Sequence, residues 1–243
     1  MSWLAVWLIG AACADLTHSV RPVRWLPGVA GAALALLAGL AAGLTGGIDL
    51  AAVLVLALLV VAWDAAVRHG FGTGRVAVPL TLWGGMLALL LLVAGEAGPV
   101  TGAVADWQAA SPLPGMAHLA PEMLWLGLGV VLVQLSTGNV LVRLVLTGTG
   151  TVNPAAGHDA GRTLKGGRLL GPMERLLILG LGLAGQLTAA GLVVAAKGLL
   201  RWPEIQATRA SDAPGVDELT EYFLLGSFVS WLCALGGLAL LAA

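Results

Sequence analysis

Apolar runs of bilayer-crossing length recur along this chain, and the charged residues fall mostly between them. A hydrocarbon slab about 30 Å thick takes about 20 helical residues. Inside it no water satisfies the backbone, so only helices or a closed barrel cross. The runs are continuous in Leu, Ala, Val and Gly and do not alternate, which selects helices. Composition agrees: 58% of the 243 residues are hydrophobic and 10% are charged, against about 45–50% and 25% in soluble domains. The expected fold is all-α, a polytopic transmembrane helical bundle forming a single domain over residues 1–243 of a multi-pass protein of the cell (inner) membrane.

Seven spans are read, at about 2–18, 26–45, 48–67, 76–95, 122–145, 172–199 and 219–242. Thr45, Gly46 and Gly47 divide what would otherwise be one run too long for a single span. No Lys or Arg precedes Arg21, so the first run is read as an uncleaved span and not as a signal peptide. Orientation follows from Lys and Arg in the loops. Arg21 and Arg24 lie in the first loop, Arg68 and Arg75 in the third, and Arg162, Lys165 and Arg168 in the fifth, with Arg143 and Arg175 at its borders. The second and fourth loops have none. The odd loops are therefore expected inside, with the N-terminus outside and the C-terminus inside. The sixth loop resists this scheme, because it carries Arg201 and Arg209 on the side expected to be outside. Trp25, Trp107, Trp125 and Trp202 fall near the expected interfaces, where an indole keeps its N–H wet and its ring in lipid.

Several classes of function are set aside. A net charge of −1 offers no basic field for nucleic acid. Cys13 and Cys233 sit in apolar runs at opposite ends of the chain, as small buried hydrophobes. No HExxH and no His or Cys pair at zinc-ligand spacing occurs, so neither a metal nor a cofactor is expected. The glycine-rich fifth loop lacks the spacing of a phosphate loop and follows no strand. It reads as a flexible basic linker facing anionic lipid.

What remains are polar groups inside or bordering the spans. Arg175, Gln186 and Lys197 follow one another at intervals of eleven residues. On one continuous helix this places them on nearly one face, with the two cations about 33 Å apart at opposite surfaces. Gln186 then falls at the midplane and needs a partner on another helix. Asp15 and His18, Asp64, Asn139 and Arg143, and Glu174 with Arg175 all gather toward the expected inner surface. They form either one converged inner polar cluster or a set of charges that anchor helix ends. Lys197 and Arg201 end the sixth span where Glu218 and Glu221 open the seventh, as outer pairs that would clamp a hairpin. Ser227 and Ser230, spaced i, i+3, suggest close helix packing.

The stretch Gly167 to Ala234 resembles an uncharacterised bacterial family of polytopic integral membrane proteins. Its pattern opens Gly-x-Leu-x-Gly-x-x-Glu-Arg, here Gly167, Leu169, Gly171, Glu174 and Arg175. A Gly-Gln pair falls on Gly185 and Gln186, an Ala-Lys pair on Ala196 and Lys197, a Glu-Tyr pair on Glu221 and Tyr222, and the closing Gly and Ser on Gly226 and Ser230. Family members often carry two His-x-x-x-Asp helices. This chain keeps the aspartates, Asp15 and Asp64, but has Ala11 and Val60 at the histidine positions. The resemblance implies a helical membrane fold and no established activity; a metal site built on those histidines would be largely lost here.

Three functions fit these features. The preferred one is a small transporter- or channel-like component, with Gln186 between charged ends of a glycine-rich span. The second is a membrane-embedded enzyme on a phosphorylated lipid headgroup, with Arg143 and Arg175 on phosphate, Asp15, Asp64 or Glu174 as base or metal ligand, and His18 as the acid–base group. The third is a structural subunit of a larger membrane complex or self-assembly. No catalytic residue is assigned.

Overall fold

The computed structural model describes residues 1–21, 23–113, 115, 118–153, 158–159, 167–210 and 216–242, and their side chains except at 153, 158–159, 167–168, 197, 200–210 and 216–219. The chain forms two compact units, Met1–Arg68 with Val78–Thr137, and His69–Ala77 with Gly138–Ala243.

The first unit is built around α1 (Ser2–Val20), in which every residue from Ser2 to Ala12 is buried. A helix that is apolar all round belongs in a core. Around it lie α2 (Leu26–Ala41), α3 (Gly47–Thr73), α4 (Ala77–Leu92) and α6 (Pro121–Leu135). α3 runs parallel to α1, because Trp3 Nε1 donates to Asp49 near one end and Trp63 Nε1 to Asp15 toward the other. α6 is parallel too: Gly129 lies against Ala5, Leu8 and Ile9, and Ser136 against Ala12. α2 is antiparallel and packs through small residues. A Cβ on Gly31 would stand 2.7 Å from the Gly10 carbonyl and 2.7 Å from the Ala14 Cβ. Without a hydrophobic drive between helices in lipid, such close approach supplies the packing energy. Trp83 of α4 rests against Trp7 and Trp63, with ring centroids 5.9 and 5.1 Å apart.

One end of this unit is closed by the long fourth loop. Its one helix among the described residues longer than a single turn is α5 (Gly102–Ala110), nine residues that stop at Ser111 ahead of Pro112 and Pro114, which cannot continue a helix. The loop is tied down by the Ser2 hydroxyl on the Gly98 carbonyl at 2.6 Å, Gly98 N–H on Asp49 at 3.0 Å and Val100 N–H on Glu122 at 2.9 Å. Trp25 and Trp107 are exposed, as interfacial indoles would be.

The second unit contains α7 (Thr137–Gly148, its first residue belonging to the first unit), a two-residue antiparallel pair β1 (Val152–Asn153) and β2 (His158–Asp159), α8 (Gly167–Leu183), α9 (Leu187–Ala210) and α10 (Val216–Ala242). Here the expected spans are corrected twice. The fifth is bent by 45° between α6 and α7. The Ser136 hydroxyl bonds back to the Leu132 carbonyl and across to that of Ala12, which interrupts the helix. The sixth is not one span. Trp231 binds Glu174 and also packs in one cluster with Val194. On a straight helix residues 174 and 194 would be about 30 Å apart. The chain therefore folds back between them, and α8 and α9 form an antiparallel hairpin.

Its turn explains how. Gly185 has φ +72°, its N–H bonds to the Gly182 carbonyl and the Gln186 N–H to that of Leu181. This is the Schellman arrangement, in which a left-handed residue just past the helix end satisfies the last carbonyls. α2 ends the same way at Gly43, φ +74°, so that helix stops before the expected Thr45–Gly47 turn. A Cβ on Gly185 meets nothing within 4 Å. Gly185→Ala should then lower stability by the backbone term alone, about 1–2 kcal/mol. Gly180→Ala, equally uncrowded but inside α8, should not; thermal unfolding of the two variants in detergent measures the difference.

Among the described residues three helices, Ser2–Val20, Gly47–Thr73 and the Thr220–Ala242 part of α10, are long and apolar enough to cross a membrane, and the bent α6–α7 pair makes up to four. Their outward faces are apolar: on α3 Leu58 is 71% exposed and Val55 54%, and Leu224, Phe228, Leu232 and Leu235 line one side of α10. Surfaces of this kind mark contact with lipid or another apolar partner.

Candidate functional site

Five of the seven residues of the expected inner cluster are held in polar contacts within one unit or the other: Asp15 and Asp64 in the first, and Asn139, Glu174 and Arg175 in the second. In the first unit Asp15 is buried on α1. It accepts a 2.7 Å hydrogen bond from the Thr137 hydroxyl and shares the Trp63 N–H between its two oxygens at 3.2 Å. Asp64, one residue on from Trp63, is also buried. It pairs with Arg68 one turn along α3 and accepts the Gly28 N–H at the start of α2. A carboxylate on the positive end of a helix dipole is stabilised there, and Gly28 makes the approach feasible, since its Cβ would stand 2.8 Å from the Asp64 Oδ2. His18 is exposed, within electrostatic reach of Asp64. Ala11 and Val60 are completely buried, Val60 against Gly10 and Gly31, which leaves no room there for imidazoles.

The second network surrounds Arg175, which is 1% exposed. Its Nη1 donates to the Ser230 hydroxyl at 3.1 Å and its Nη2 to Asn139 Oδ1 at 2.8 Å. The guanidinium lies on the backbone of Gly138, where a Cβ would stand 2.7 Å from Nε. Gly171, one turn before Arg175 on α8, leaves the same kind of space beside Nη1. Glu174 is buried and accepts the Trp231 N–H at 2.9 Å. An arginine out of water persists only when its planar donors are met by acceptors, and α7 and α10 supply them here.

The depth of this network reverses the expectation for Arg175 and Gln186. Ser230 lies about 15 Å of helix rise from Thr220 and about 18 Å from Ala242, the limits of the apolar stretch of α10. Arg175, bonded to Ser230, sits at the middle of that stretch and not at its border. Gln186 lies in the α8–α9 turn and is exposed, level with the end of α10, where Gly182 meets Leu238. The eleven-residue spacing fails as a face argument because the helix does not continue through Gly185.

No family model, curated protein or solved structure matches the chain.

The remaining expected residues are placed as follows. Arg143 is exposed, its guanidinium 6.0 Å from the Phe71 ring centroid, and does not join the buried network. The paired arginines of a phosphate-binding enzyme are therefore not assembled. Glu221 is exposed, while the side chains of Lys197, Arg201 and Glu218 lie outside the described residues. Arg162 and Lys165 of the fifth loop also lie outside them. Among the described residues no group of three His, Cys, Asp or Glu could hold a metal ion. The sequence reading missed Trp63, Thr137 and Trp231 as partners. Its one available signal was polarity in apolar surroundings, as in "QLSTGN" around Thr137.

Proposed function

We propose that this is a multi-pass protein of the cell (inner) membrane that moves a small ion or polar solute, as a transporter- or channel-like component. The observation that carries the reading is the Glu174–Arg175 network, a buried pair of ionisable side chains on α8 bonded to the middle of the apolar stretch of α10. Ionisable groups at such depth are costly, face the interior of a bundle and mark pathways or relays. The interruption at Ser136 adds to this support, because broken apolar helices recur where transporters build their sites.

The test is flux through proteoliposomes of the purified chain under imposed gradients of H⁺, Na⁺, K⁺ and Cl⁻. At least one gradient should drive flux above empty liposomes, and Glu174→Gln and Arg175→Lys should each lower it about tenfold or more, a barrier change of about 1.4 kcal/mol. Flux absent under all four gradients, or unchanged in both variants, would defeat the reading.

A further inference from the structure

The α8–α9 hairpin has a consequence for which side of the membrane each loop occupies. Within the second unit the helix directions are fixed by contacts. α8 and α10 are parallel, since Arg175 meets Ser230 and Gly182 meets Leu238. α9 is antiparallel to α10: Ala190 packs with Ala234, whereas Gly198 shares a crevice with Phe223, Leu224 and Ser227. α7 is antiparallel to α10 as well, with Asn139 at Arg175, which Ser230 also binds, and Leu146 at Gly226. The end of α7, the start of α8, the end of α9 and the start of α10 thus share one end of the unit. The α8–α9 turn and the end of α10 share the other.

Two of these helices come close to the thickness of the slab in rise, and α9 opens with the apolar stretch Leu187–Ala196 before its charged second half. The 17 residues of α8 rise about 26 Å and the 24 of α9 about 36 Å. In the first unit the 16-residue α2 runs from the level of Asp64 to that of Val53, alongside two helices of crossing length. α4 returns the chain from the end of α3 to the loop held against the start of α1.

Resting on the reading as a membrane protein, we infer that the chain crosses the bilayer eight times, as α1, α2, α3, α4, α6–α7, α8, α9 and α10, so that the start of α1 and the end of α10 face the same, outer side. The distribution of cations supports it independently. The seven-span reading leaves Arg201 and Arg209 outside, against the rule that Lys and Arg stay in. The hairpin moves the α9–α10 connection to the side of the α7–α8 connection. Of the twelve lysines and arginines, all but Arg175 then belong to the inner half, in or beside the α1–α2, α3–α4, α7–α8 and α9–α10 connections. The outer connections, α2–α3, the long α4–α6 loop and the α8–α9 turn, contain none. A face of this sign is complementary to the anionic headgroups of the cytoplasmic leaflet.

The full chain is tested in Escherichia coli by fusing alkaline phosphatase or green fluorescent protein after Ala242, and by single cysteines in a Cys13→Ala, Cys233→Ala background. The phosphatase fusion should be active and the fluorescent fusion dark. Gln186→Cys should react with a membrane-impermeant maleimide in intact spheroplasts, and Ser211→Cys, in the α9–α10 connection, only after permeabilisation. A bright fluorescent fusion with inactive phosphatase would overturn the eight-crossing arrangement and restore seven. Labelling of Ser211→Cys in intact cells would also overturn it. Extraction of the unfused chain by alkaline carbonate would instead defeat the membrane reading beneath it.

Discussion

Arg175→Met should destabilise the protein by about 3–5 kcal/mol, the range for breaking a buried hydrogen-bonded charge by removing one partner. The thioether fills much of the volume, so the loss is not chiefly a cavity. It arises because Asn139 Oδ1 and the Ser230 hydroxyl lose a charged donor at once, on two different helices. Arg175→Lys keeps the charge but replaces a planar fork with one ammonium, which does not reach two divergent acceptors in the same geometry. It should recover less than half of the loss. Arg143→Met is the matched control. Its guanidinium is exposed over Phe71 and contributes about 0.5–1 kcal/mol at most. Unfolding in mixed detergent and dodecyl sulfate compares the three variants; an Arg175→Met protein as stable as Arg143→Met would remove the energetic basis of the network.

Gly31→Val is expected to cost about 3 kcal/mol, at the upper end of overpacking penalties. Its Cβ would press within 2.7 Å of the Gly10 carbonyl and 2.8 Å of a Val60 methyl. The first is backbone, so relief requires α1 and α2 to separate, and α1 is the buried centre of its unit. Gly84→Ala on α4, where a Cβ meets nothing within 4 Å, should be neutral or slightly stabilising, since alanine is the better helix former by about 1 kcal/mol. The same unfolding assay separates the two, and equal stabilities would mean that the helices do not approach as closely as described.

The helical membrane character was legible because hydropathy and run length act locally, residue by residue. So was the need of Asp15, Asp64, Glu174 and Arg175 for buried polar partners, since ionisable groups in apolar runs stand out in any reading. What failed was continuity. "GLGLAGQL" keeps its hydrophobicity through Gly185, and nothing in its composition distinguishes a glycine inside a helix from one at a left-handed helix end. That single backbone angle turned one expected span into two antiparallel helices and exchanged the places of Arg175 and Gln186 along them. The interruption at Ser136 was similarly hidden, because a serine bends a helix only when a partner such as the Ala12 carbonyl rewards the bend. The central place of α1 was also illegible. Its length resembles that of its neighbours, and burial on all sides depends on helices that follow it in the chain.

That last point reaches into how the protein is made. Asp15 is translated early, while Thr137 emerges 122 residues later. At about 5–20 residues per second, the ribosome takes roughly 6–24 s to supply that hydroxyl. During the interval Trp63 arrives first, and until then the aspartate has to be sheltered by the insertion machinery or stay near water. Slowing or stalling translation between Trp63 and Thr137 should therefore leave a nascent chain whose first helix is still poorly settled in the lipid.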